Sequence, residues 1–293
     1  MNHRRALSAI FTAATLLTVV LATPALYASI SDGDPHWANR AEGLRGTIAP
    51  TQPVDAAIEE YRKALEADSS DLEARWKLMR ALRFKGAYVA ESLDAKKDLF
   101  DEGRQIGAKG IALLEAQLRE RGVNNPDKAS PKEIARIAKE IPGAGELYLW
   151  DAINWGEWAQ VYGKLAAVRK GAADRILREA TLALEIDPAM QGAGAGRVLG
   201  RLHNQTPRVP FLTGWASDDE AVRFLRRSLA LNPTDKVTMV FLAEALVAAD
   251  RKSRPEAIAL LKKVLETPND PRFLVEGANA QKDARKLLDS WSR

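Results

Sequence analysis

Residues 221–246 read AVRFLRRSLALNPTDKVTMVFLAEAL, and this stretch decides the fold. Apolar or small side chains stand at Ala221, Val222, Leu225, Ser228 and Leu229. That spacing draws one stripe along a helix. Pro233 then stops the helix, because it has no N–H to donate, and a second helix is expected over Lys236–Ala249.

The same stripe recurs three times. It runs through Ala57, Ile58, Tyr61, Ala64 and Leu65, through Ile176, Leu177, Ala180, Ala183 and Leu184, and through Ala257, Ile258, Leu261, Val264 and Leu265. A new helix is expected after each, over Asp71–Gly86, Met190–His203 and Asp270–Ser290. A helix–turn–helix unit of about 34 residues is the tetratricopeptide-like repeat. The last leucines of successive stripes are separated by 119, 45 and 36 residues, so the array is degenerate and carries insertions. The longest gap has room for helices over Glu91–Arg121 and Leu147–Lys170 and a short one starting at Ser130-Pro131. The fold expected is all-α, a degenerate array of tetratricopeptide-like helical hairpins, with residues 32–293 forming one domain.

The N-terminus reads as an export signal. Arg4 and Arg5 precede an uncharged apolar stretch from Ala6 to Ala22, and small residues follow. A signal peptide over residues 1–28 is expected, cut after Ala28 or Ala25, with the remainder periplasmic. The chain has no cysteine, which excludes a lipidated N-terminus, disulfides and thiolate chemistry. Its net charge is +4, of which the signal contributes two arginines and no acid. Basic and acidic residues are interspersed, so no nucleic-acid partner is expected.

Little in the sequence points to catalysis. His36 and His203 lack acidic neighbours at ligand spacing, so neither a metal nor a cofactor is expected. The run Gly192-Ala193-Gly194-Ala195-Gly196 looks like a phosphate loop but has no strand before it. Close approach of two helices is the better reading. Three groups are candidates for binding a ligand or partner. Trp150, Asn154 and Trp158 share one face of an aromatic helix that also carries Tyr148, Trp155 and Tyr162. They belong either to core packing or to an apolar pocket with a few polar groups. Arg197 and Arg201, one turn apart and followed by His203, need an anion or a carboxylate between them. The acid is either the chain's own, such as Asp218 or Asp219, or a ligand's. Phe211 and Trp215 sit in a loop too apolar for a free surface and must bury against the repeat layer or a partner.

At these residues the chain resembles the TatT component family of tripartite ATP-independent periplasmic (TRAP) transporters. The stretch GRVLGRLH over 196–203 carries the resemblance, followed by Pro207, Pro210-Phe211, Thr213-Gly214-Trp215 and Ala221-Val222. Trp37-Ala38, Arg40-Ala41-Glu42, the stretch 72–78 and the stretch 241–246 agree with it more generically. The resemblance implies a helical accessory protein that associates with the periplasmic solute-binding subunit of a TRAP system. It also implies a homo-oligomer and a small hydrophobic or carboxylate ligand. Some members are lipoproteins, and the absence of cysteine sets this chain apart from those. The alternative is a generic periplasmic scaffold that grips proteins or peptides in a groove.

Overall fold

The computed structural model describes residues 30–291. Both candidate cleavage sites, and the signal peptide itself, lie outside the described residues.

The described residues form thirteen α-helices and two short 3-10 turns, with no strand beyond one isolated bridge between Arg45 and Ile48. The helices are α1 (Ile30–Ala38), α2 (Thr51–Ala67), α3 (Leu72–Tyr88), α4 (Leu93–Glu120), α5 (Pro131–Ala138), α6 (Ala144–Tyr162), α7 (Lys164–Arg169), α8 (Ala172–Ile186), α9 (Met190–Gln205), α10 (Asp218–Leu231), α11 (Lys236–Ala249), α12 (Arg254–Glu266) and α13 (Leu274–Trp291). Each stripe falls on one of α2, α8, α10 and α12, and each is followed by an expected partner helix. The all-α hairpin array read from the sequence is the architecture found.

Local chemistry sets the helix starts. The Asp71 carboxylate accepts from the backbone N–H groups of Glu73 and Ala74 at 2.8 and 3.0 Å, and Asp235 accepts from Thr238 at 2.8 Å. Ser92, Ser130 and Ser217 do the same through their hydroxyl oxygens at 3.1, 3.3 and 3.4 Å. Such caps satisfy N–H groups that no carbonyl within the helix can reach.

The helices form two layers. The partner helices α3, α6, α9, α11 and α13 pack side by side in that order, and α2, α4, α8, α10 and α12 flank them. The array then closes on itself. Val275, at the start of α13, is buried in the same cluster as Ala49, Val54, Leu82 and Phe84. The Asn279 side chain donates to the Thr47 carbonyl at 2.9 Å, and Arg40 pairs with Glu276 at 3.6 Å. Arg40 also donates to the Arg272 carbonyl. The last helix thus meets the first hairpin and the layers form a ring.

Glycines allow the tightest contacts. Gly103, Gly107 and Gly110 stand on one face of α4. A Cβ at these positions would fall 2.3 Å from Asn154 Oδ1, 1.9 Å from Asp151 Oδ1 and 2.5 Å from Arg75 Cδ. In α9, a Cβ on Gly200 would fall 2.4 Å from Leu225 Cγ, and one on Gly196 would press on Ser228. The close-approach reading of the glycine run holds, with one addition. Gln191, Gly192 and Ala193 take left-handed φ values of 50°, 65° and 61°, so the helix from Met190 is kinked at its start.

Two details differ from the sequence reading. The helix expected over Leu147–Lys170 breaks at Gly163 (φ 85°, ψ 168°), a conformation open to glycine and closed to other residues. Gly86 does not end α3. The helix runs on to Tyr88, and Gly86 makes room for the ring of Phe100, 2.5 Å from where its Cβ would be.

Candidate functional site

The sequence grouped Trp150, Asn154 and Trp158 on one face of α6, and the structure separates them. The helix is packed among α3, α4, α8 and α9, so it is covered on more than one side. Asn154 is fully buried and serves the fold: its amide donates to the Trp150 carbonyl at 2.8 Å and to the Met79 carbonyl at 3.3 Å. Trp158 is buried with Trp155 and Phe100, and its indole N–H donates to Asp101 at 2.9 Å. Trp150 alone remains half-buried, with no hydrogen-bond partner on its Nε1.

Arg197 and Arg201 line the inner layer, but each already has an acid. Arg197 pairs with Asp235, the cap of α11, at 2.7 Å and Arg201 with Glu244 of α11 at 2.5 Å. Asp218, one of the two acids expected to serve them, instead binds Arg208 and the amide of Asn204. The Arg201 guanidinium also lies over the Phe241 ring at 4.3 Å. An open depression between α9, α11 and α13 is lined by Asn204, Glu244, Val247, Leu287 and Trp291. Glu244, the partner of Arg201, thus lies at the edge of this depression.

His203 pins the loop that follows α9. Its Nδ1 accepts from the Ser217 backbone N–H at 3.3 Å, and its ring stacks on Phe224 and meets Trp215 edge-on. Burial pushes its pKa below the ordinary histidine range, in keeping with a neutral acceptor. Trp215 packs against the repeat layer and donates to Asp174 at 3.2 Å. Phe211 does not bury. It projects fully into solvent at 106% relative exposure, beside Leu212 at 58%. Its φ of 65° is a strained value for a bulky residue. The turn is stiffened by Pro207, Pro210 and Thr213, whose hydroxyl donates to the Pro207 carbonyl at 2.5 Å and accepts from the Val209 N–H at 3.1 Å.

Sequence reasoning missed two charged clusters. In one, Asp151 and Glu179 are buried side by side with Arg175, whose guanidinium reaches Asp151 at 2.8 Å and Glu179 at 3.0 Å. Burial, and then the negative charge of Asp151, push the Glu179 carboxyl well above the usual range. The other lies at the seam of the ring. Lys77 pairs with Asp34 at 2.7 Å and Glu73 at 2.8 Å, and Arg83 with Glu157 at 2.5 Å. Between them in the sequence, Arg80 stacks on the indoles of Trp37 and Trp76, 4.0 and 4.9 Å from their centroids. The spacing of Trp76, Lys77, Arg80 and Arg83 on one helix face was the available signal.

Among the described residues no group of three or more histidines or acids is placed to hold a metal ion, and no helix is long and apolar enough to cross a membrane. No family model and no curated protein matches the chain. Among solved structures it is similar to the crystal structure of the yeast Tom70, at 14% identity and a TM-score of 0.25, over 88% of this chain. The chain spans 65% of the length of that structure. The fold therefore rests on the helices themselves.

Proposed function

We propose that this chain is an exported accessory protein of a TRAP transport system. It docks on the periplasmic solute-binding subunit and takes a small apolar or carboxylated molecule. The observation that carries the docking half of this reading is the Phe211 turn. A stiff, proline-flanked loop holds a bare aromatic side chain out from the ring, which suits a knob that enters a partner's pocket. The choice of partner is supported by the resemblance over residues 196–222. The closed ring, with inner helices rich in aromatic and charged groups, suits the ligand half. Export through a cleaved signal is part of the same reading and is checked by N-terminal sequencing of protein recovered from the periplasm.

The test is affinity capture from an envelope extract with the mature chain and with Phe211→Ala. The intact chain is expected to retain a TRAP solute-binding subunit and F211A to lose it with no change in fold. Recovery of none by a correctly folded chain contradicts the proposal. The second reading, a general scaffold for proteins or peptides, is favoured if the ring instead binds unstructured peptides.

A further inference from the structure

The connection between α6 and α8 is built inside out. Gly163 and Gly171 bracket α7 with φ values of 85° and 64°, and a Cβ on either would meet only open space. Between them the sequence reads KLAAVRK over 164–170. Ala166 and Ala167 pack inward, against the cluster of Trp155, Trp158 and Ala172. The larger Leu165 and Val168, one turn apart, face outward at 65% and 58% exposure. A surface helix normally turns its large apolar side chains to the core.

The charges around them are all of one sign. Residues 158–173 contain Lys164, Arg169 and Lys170 and no acid. All three are exposed, and none has an ion-pair partner among the described residues. Two acids on the helices behind are engaged elsewhere. Asp101 accepts from the Trp158 indole and the Tyr162 hydroxyl, and Asp174 accepts from the Trp215 indole. Trp215 ties this edge to the turn after α9, where residues 205–217 also hold no acid and Val209, Phe211 and Leu212 stand exposed. With Leu93 and Tyr162, seven of the ten large apolar side chains exposed among the described residues lie here, where α4, α8 and α10 begin and α6 and α9 end.

We propose that α7 rests on the surface of an anionic lipid bilayer, with Leu165 and Val168 among the acyl chains and Lys164, Arg169 and Lys170 at the headgroups. Such a contact needs apolar area to bury at the boundary and positive charge to meet the lipid phosphates, and α7 offers both on its outer side. A helix of six residues is only ~9 Å long. A stable protein interface takes ~800 Å² from each partner, more than so short a ridge supplies. A bilayer sets no such threshold, because each basic residue near an anionic surface tightens binding by ~5-fold. The segment lies on the bilayer and does not span it, since crossing takes ~20 residues. The inference goes beyond the proposed function and needs neither the transporter partner nor a ligand. Phe211 remains the contact for the partner, and a partner seated there is held beside the bilayer.

Co-sedimentation of the full mature chain with vesicles tests it, using phosphatidylcholine with about one third phosphatidylglycerol and phosphatidylcholine alone. Binding to the mixed vesicles is expected to be ~10-fold or more tighter than to the neutral ones. A triple variant, Lys164→Gln with Arg169→Gln and Lys170→Gln, should lose ~10-fold or more. A double variant, Leu165→Ser with Val168→Ser, should lose ~5-fold or more. Both should melt at the native temperature, since all five side chains are exposed. Because the chain has no cysteine, Leu165→Cys can carry an environment-sensitive dye. Its emission should shift to the blue on mixed vesicles, while the same dye on Leu231→Cys, at the end of α10, should not respond. The proposal is overturned if the chain fails to bind mixed vesicles, binds both kinds alike, responds equally at both dye positions, or binds as well with the three cations removed. It is overturned too if the α7 variants lose capture of the solute-binding subunit while the native chain ignores vesicles, which makes α7 a protein contact. Phe211→Ala separates the two surfaces: lost capture with retained vesicle binding is the expected pair. Vesicle binding lost in F211A and kept in the α7 variants moves the contact off α7 and sinks the proposal.

Discussion

Asp151 presses its Oδ1 into the gap left by Gly107, so closely that a Cβ there would fall 1.9 Å away. Asp151 is fully buried and tied to Arg175, so it has little freedom to withdraw. Gly107→Ala is therefore expected to destabilise the chain by ~2–3 kcal/mol, as overpacking of a tight core does. Gly156, on α6 and with open space around it, is the control. Gly156→Ala should be neutral or stabilising by up to ~1 kcal/mol, because alanine is the better helix former. Urea unfolding of both variants measures the difference.

Glu179 gives a pH signature of known sign. Its carboxyl holds a proton in the folded chain at pH values where the unfolded chain has released it. The stability from this site is full below the ordinary value of 4.5 and falls as pH rises through the raised one. Glu179→Gln keeps the shape and removes the titration. Its melting temperature relative to the native chain should rise as pH increases above the ordinary carboxylate range. A difference that does not change with pH above that range would contradict the buried acid pair.

His203 behaves in the opposite sense. Its folded pKa is depressed by burial, so the stability it confers is present above about 6.5 and is lost as pH falls below that. Protonation also removes the acceptor for the Ser217 N–H, at the cap of α10. Hydrogen exchange in the first turn of α10 should speed up selectively as pH drops from about 7 to about 5, after correction for the intrinsic rate.

These residues show what a sequence reveals and what it hides. The hairpins were legible because their signals are local: stripes on α2, α8, α10 and α12, caps such as Ser217, and stops such as Pro233. The loop at 206–216 was legible as unusual, but the split between a packed Trp215 and a bare Phe211 was not. The partners of Arg197 and Arg201 were misjudged because Asp235 and Glu244 come from the next inner helix, 38 and 43 residues away. Arg80 went unnoticed for the same reason in reverse. A lone arginine in a helix looks like a solvated side chain until the Trp37 ring of α1 is seen to lie against its guanidinium. The contact between Val275 and the first hairpin leaves no local pattern at all.

That contact also yields a shape prediction. Val275→Asp places a charge in the buried seam and should open the ring while leaving the hairpins folded. Small-angle scattering should show a larger maximum dimension, with helical content by circular dichroism retained.

The closure itself can be tested without structure determination, because the chain contains no cysteine. A Thr47→Cys and Asn279→Cys double variant, treated with a short bifunctional maleimide at low protein concentration, places both thiols at the seam, where the Asn279 amide and the Thr47 carbonyl are 2.9 Å apart. The closed ring predicts near-complete cross-linking within one chain, abolished by adding V275D. Unlinked protein, or cross-links only between chains, would contradict it.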